Sequence, residues 1–241
     1  MKLEVTRATS VNEISLGAYQ KFQEVCATSN DEEFISMKMI EIFCGIELKD
    51  VVKIKLSSVA EMISHFSKIF AEKQEFIHRF CIGTQEFGFI PSVEDISMGE
   101  YIDIVKYSSS WEDMHKAMAA MYRPIIKTKG DAYEIQEYSG TINYADVMKF
   151  APCGIAIAAS VFFWTLGNDL VNSSLLSLEM EMKKNPKVMT SANEASLQKT
   201  GVGIIQSMHS LRETLQDLTK SQSWGLESVL HTLLTSDKKT K

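Results

Sequence analysis

The chain has 241 residues, 45% of them hydrophobic and 23% charged, with a formal net charge of −6. That balance excludes disorder along the whole length and allows a core of useful size. The negative sign argues against a dedicated nucleic-acid binder, since neutralising phosphates needs clustered Lys and Arg. The one basic cluster, Lys238, Lys239 and Lys241, reads as a solvated end.

Residues Leu3 to Thr6 alternate as L-E-V-T and predict a short strand. SVNEISLGAY follows at residues 10–19, and SVEDISMGEY repeats it at residues 92–101. The shared pattern is Ser-Val, any residue, an acid, Ile-Ser, Leu or Met, Gly, any residue, Tyr. It reads as the start of a helix. Ser10 and Ser92 are candidate N-caps, with Glu13 and Asp95 three residues on as in a capping box. Alternatively the caps are Ser15 and Ser97, with Ile14 and Ile96 as staple residues. On either reading Tyr19 and Tyr101 are expected on equivalent helix faces.

An amphipathic helix is predicted from Asp31 to Phe43, with Phe34, Ile35, Met37, Ile40, Ile42 and Phe43 apolar. Gly45 stops it by tolerating a left-handed terminal residue. A second helix runs from Ser57 to Phe70, its face marked by Val59, Met62, Ile63, Phe66, Ile69 and Phe70. Phe80 to Ile90 reads as two short strands with Gly83 at the turn. The next helix, Ser110 to Tyr122, carries Trp111, Met114, Met118, Met121 and Tyr122 at helical spacing, and Pro124 ends it. MIEIFCGI (39–46) and MAAMYRPI (118–125) match in position, with Gly45 opposite Pro124. Residues 127–140 read as a polar hairpin-like loop. Tyr144 to Leu170 reads as a helix broken near Pro152.

Within it, residues 153–168 (CGIAIAASVFFWTLGN) carry no charge, but 16 residues fall short of the roughly 18–20 needed to span a bilayer. They read as the central buried helix. The N-terminal MKLEVTRATS has no apolar run behind a basic flank, so no signal peptide is expected.

The expected architecture is therefore mainly α with minor β, an α+β fold. It comprises a first strand-helix-helix-helix half at 1–82 and a related second half with the buried helix at 83–180. A linker at 181–202 and C-terminal helices within 203–241 complete it. In the C-terminal helices, Ile204, Ile205, Met208, Leu211, Leu215 and Leu218 form one apolar stripe, and Trp224, Leu226, Val229, Leu230, Leu233 and Leu234 another.

Candidate chemistry is sparse. Neither a Gly-rich phosphate loop nor a G-x-S-x-G elbow is present. Cys26, Cys44, Cys81 and Cys153 form no C-x-x-C pair; beside apolar neighbours they read as buried, reduced thiols, with Cys81 facing inward from a strand. Glu75–His78 and Glu112–His115 are two E-x-x-H pairs, but a di-iron bundle also needs a Glu from each of two further helices. No metal, cofactor or catalytic residue is expected. Arg123 is expected to bridge Asp113 or Glu112, or else a partner's carboxylate. Thirteen methionines, several on helix faces, suit either an adaptable core or a surface that accepts apolar partners.

EFGFIPSVEDISMGEYIDI (86–104), WEDMHKAMAAMYRPI (111–125) and NYADVMKFAPCGIAIAASVFFWTLGNDL (143–170), followed by GIIQSMHSLRE (203–213), resemble in this order a group of tailed-bacteriophage proteins of tail assembly chaperone type. The resemblance spans most of residues 1–215. It implies a non-catalytic protein in the host cytoplasm. That protein binds the tape-measure protein, keeps its apolar stripes soluble, recruits tail-tube subunits and leaves before the virion matures. Self-association is a further expectation; membrane and nucleic acid are not expected partners. The alternative is a structural virion component of the tail or connector. The expected partner-binding face combines Tyr101, Trp111, Met114, Met118, Tyr122 and Arg123, since Trp, Tyr and Arg are common interface anchors.

Overall fold

The computed structural model describes residues 7–92, 95–163 and 165. A 3₁₀ turn at Val11–Glu13 leads into α1 (Leu16–Thr28), α2 (Glu32–Cys44), α3 (Leu48–Val51) and α4 (Leu56–Ala71). β1 (Arg79–Ile82) and β2 (Gln85–Phe89) follow, then α5 (Met98–Tyr107), α6 (Met114–Met121), β3 (Tyr122–Lys129), β4 (Ala132–Ile135) and α7 (Ile142–Met148). A further helix, α8, occupies residues 153–163 and 165. Among the described residues the fold is α+β and mainly helical, with one antiparallel sheet in the order β1-β2-β3-β4. The expected strand at Leu3 to Thr6, the linker and the C-terminal helices lie outside the described residues.

Of the two capping alternatives, the second is the one formed. The Ser15 side chain accepts from the Ala18 amide, whereas Ser10 makes no such bond. The remaining free amides of the first α1 turn go elsewhere in the chain. Leu16 N–H donates to the Ala151 carbonyl at 2.8 Å and Gly17 N–H to the Lys149 carbonyl at 2.7 Å. Cys153 N–H returns a bond to the Ile14 carbonyl at 2.8 Å. The start of α1 is thus hydrogen-bonded to the turn between α7 and α8, so no helix-end amide is stranded there. Ser97 caps α5 with a full capping box, the Ser97 amide donating to Glu100 at 2.7 Å.

The repeated motif preserves capping but not burial. Leu16 and Tyr19 are buried, whereas their counterparts Met98 and Tyr101 are exposed. The expected equivalence of the two tyrosine faces therefore fails. The cause is packing: the Leu16–Tyr19–Phe22 side of α1 faces the core, while the Met98–Tyr101 side of α5 faces solvent. The expected boundary at 82/83 falls in the turn of the β1–β2 hairpin, where Gly83 takes φ +58°. A single hydrophobic core runs from Val11 to Ala159 and draws on residues from both sides of that boundary.

α2 ends at Gly45 with φ +65°, as its sequence predicts. α6 departs from expectation. It starts at Met114, because residues 110–113 form a turn in which Ser110 Oγ accepts from the Glu112 amide. It is also buried all round, from Met114 through Met121 with only Lys116 partly open, packed against α5 and α7. It passes directly into β3, since the residue before Pro124 is biased to extended backbone. The polar stretch after it is a hairpin, as its sequence predicts, but with strands as its arms up to Ile135; residues 136–140 are irregular. β3 pairs with β4 through Lys129↔Ala132 around Gly130 at φ +62°. α8 is buried from Cys153 to Ala156, as expected of an uncharged helix, and among the described residues no helix is long and apolar enough to cross a membrane.

Gly88 in β2 has a packing reason to be glycine. A Cβ there would stand 2.5 Å from Tyr133 Cε2 and 3.0 Å from Ile125 Cγ1. The Tyr133 ring lies over this gap, and its hydroxyl donates to the Phe89 carbonyl at 2.8 Å. Gly88→Ala is expected to cost about 1–3 kcal/mol as an overpacking change. Denaturant unfolding checks it, and on a Tyr133→Ala background, where the clash is gone, the same change costs less.

Candidate partner-binding face

The structure places five of the six expected face residues inside. Met114, Met118 and Tyr122 have no exposed surface, and Trp111 and Arg123 are 6% and 8% exposed. Tyr122 donates its hydroxyl to the Ile77 carbonyl at 2.6 Å and packs edge-on to Phe80 and Phe89. Trp111 packs edge-on to Tyr19 with centroids 5.0 Å apart. Met114 and Met118 are core because α6 is enclosed on every side, and Trp111, Tyr122 and Arg123, which flank its two ends, are buried with it. As a surface the expected face is corrected: Tyr101 alone remains outside, 44% exposed.

Tyr101 has neighbours that can form a face with it. Met98 and Ile102, three residues before it and one after, are 73% and 53% exposed. On a helix, positions i, i+3 and i+4 share one side, so the three form a single apolar stripe along α5. Fully burying side chains of this kind is worth roughly 1.5–3 kcal/mol each. A scatter of single exposed apolar residues is ordinary, but a stripe on one short helix is a usable contact. The signal was present in the sequence as the 98–101–102 spacing beside the repeated motif.

The inner side of α5 is held by charge. Glu100 is 6% exposed and pairs with the Arg123 guanidinium from β3. The same carboxylate accepts from the Ser97 amide. Arg123 lies over the Tyr138 ring at 5.5 Å, and Tyr138 donates its hydroxyl to Asp103. Burial and the neighbouring Asp103 carboxylate push the Tyr138 phenol well up, so it stays a donor at neutral pH. Ile104 completes the attachment from within the core. Arg123 therefore bridges Glu100, not Asp113 or Glu112 as expected. Glu100 lies 23 residues earlier, beyond the reach of local spacing arguments. The network aims one rigid apolar side of α5 outward.

A second feature is a groove of about 1290 Å³ along α1, walled by Trp111, His115, Lys149 and Phe150. Phe150 stands 72% exposed at its rim. Gln20, Lys21 and Glu24 line it from α1.

The reactive side chains are dispersed. Glu75 and His78 lie in the irregular stretch between α4 and β1, not on a helix face. His115 Nδ1 contacts Gln20 Nε2 at 3.0 Å. Among the described residues no three His, Cys, Asp or Glu side chains come together in a metal-binding arrangement. The four cysteines are free. Cys153 is fully buried, and burial pushes its thiol well up; the Cys26 thiol is pushed up to about 11 for the same reason. Both are poor nucleophiles near neutral pH, since the thiolate is the reactive form. Cys81 is exposed, a correction to its expected inward position, because Phe80 takes the core side of β1. No protein-family model, curated protein or solved structure matches the chain.

Proposed function

We propose that this chain is a non-catalytic protein-binding factor of bacteriophage tail assembly. It acts in the host cytoplasm, holding the tape-measure protein and bringing tail-tube subunits to it, and α5 is the contact face. The observation that carries the binding role is the Met98–Tyr101–Ile102 stripe, exposed on a helix locked from beneath by Glu100 and Arg123. A helix that presents anchors at this spacing suits an amphipathic helical partner. Met98 adds adaptability, because a thioether on a flexible stem fits varied apolar surfaces. The ordered resemblance over residues 86–213 points to the tail as the setting.

The test uses the full chain, tagged and recovered from infected cells, with and without Ile102→Asp. The wild-type chain is expected to bring down the tape-measure protein and to be missing from purified virions by mass spectrometry. Ile102→Asp is expected to weaken capture roughly 10- to 100-fold, the range for losing an interface anchor. Its stability should stay within about 0.5 kcal/mol of wild type, as for most surface changes. A stoichiometric virion signal supports the structural-component reading instead. Unchanged capture by the variant removes α5 as the face.

A further inference from the structure

The Gln20 side chain joins α1 to the groove wall. Gln20 Nε2 stands 2.7 Å from the Trp111 carbonyl and 2.9 Å from the Glu112 carbonyl. Two carbonyl acceptors orient the amide, because the reverse orientation sets oxygen against oxygen. The same nitrogen is 3.0 Å from His115 Nδ1. The amide nitrogen shares its two hydrogens among these three acceptors and has no lone pair to offer, so Nδ1 is the bare, accepting nitrogen and the ring proton sits on Nε2.

We propose that Gln20 and His115 form a proton-sensitive latch that ties α1 to residues 110–113 and holds the wall of the α1 groove. Proton uptake at Nδ1 sets N–H against N–H. The amide then turns or withdraws, and its bonds to the Trp111 and Glu112 carbonyls are lost together. Trp111 is the wall residue released, and its indole Nε1 has no other hydrogen-bond partner to hold it. The latch is independent of the α5 reading.

The charges around His115 set when the latch opens. Lys116 comes from α6 and Lys149 from the turn after α7. Glu112 and Asp113 come from the turn before α6, and Asp146 from α7. Lys21 and Glu24 line the same groove from α1. Burial comes first, then Lys149 and Lys116, in holding the imidazole pKa below its ordinary value, against the raising effects of the Glu112 carbonyl, which can accept from the protonated ring, and of Asp113. The folded chain therefore takes up this proton less readily than the unfolded one. The latch is closed at neutral pH and opens as pH falls below about 6.5, the free imidazole range.

The test is a nuclear magnetic resonance titration of the full chain between pH 8 and pH 5, with histidine rings and glutamine amides labelled. At pH 8 His115 is expected to carry its proton on Nε2. Through the His115 midpoint the Gln20 amide signals should shift and exchange with solvent about tenfold faster, the change expected for losing one to two net hydrogen bonds. In His115→Ala the Gln20 signals should stay flat over the same range. A proton on Nδ1 at pH 8 overturns the latch, as does a Gln20 amide unmoved through the titration or moving equally in His115→Ala. Loss of signal dispersion across the whole chain at that midpoint also overturns it, since the event is then global unfolding.

Discussion

Arg123→Met is expected to destabilise the protein by about 3–5 kcal/mol, because it strands the Glu100 carboxylate in the interior. At this chain length that corresponds to a Tm drop of roughly 6–20 °C. Methionine keeps much of the arginine stem, so the loss is mainly one of charge and hydrogen bonding, not of volume. Glu100→Gln makes the complementary change. Its amide oxygen can still accept from the Ser97 amide, so the capping box survives while the guanidinium is left unpaired. The double variant is expected to lie closer to wild type than the sum of the singles. Breaking a buried pair from one side costs more than removing it whole, and Arg123 Nε already lacks a partner. Thermal and urea unfolding of the four proteins at pH 7 decide the matter. A single-variant deficit below about 1 kcal/mol would mean that the pair behaves as an exposed one.

This pair also marks where sequence reasoning ends. Ser15 and Ser97 were legible as caps, because capping depends on residues three apart. Gly45 and Gly83 were legible because a positive φ leaves few alternatives to glycine. The α4 stripe was legible because one side of that helix faces solvent, so its apolar residues show a period. α6 was not. Its Trp, Met and Tyr positions have the spacing of an amphipathic face, and Ala119 and Ala120, which fill the opposite side, pass for neutral residues in a sequence. Only the neighbours α5, α7 and β3 make it a buried helix. The β3–β4 hairpin was half legible, read as a hairpin-like loop: both faces of Thr128 and Lys129 are solvated, so no alternation signals its strands. The exposed stripe on α5 was half legible. Tyr101 was singled out, but whether a tyrosine in this motif points in or out depends on what packs beside the helix, as the buried Tyr19 shows.

Phe89→Ala carries the other large expected effect, about 3–5 kcal/mol. Phe89 sits in β2, is 2% exposed, and meets three rings: Phe76 at 4.9 Å, Tyr122 at 5.2 Å and Phe162 at 5.5 Å. Phe162 in turn stacks on Phe76 at 4.2 Å. One side chain therefore joins the sheet, the strand that continues α6, the stretch after α4 and the distal part of α8. Truncation leaves a cavity bounded by aromatic rings that cannot collapse without moving several elements, which puts the cost at the upper end for a large-to-small change. Phe89→Leu should recover more than half the loss by refilling most of that volume. Ile102→Asp provides the contrast, an apolar-to-charged change expected to leave stability within about 0.5 kcal/mol while affecting capture of the partner. Were Ile102→Asp to cost as much as Phe89→Ala in urea unfolding, the α5 stripe would be covered in the isolated protein, and its role as a free contact face would fall.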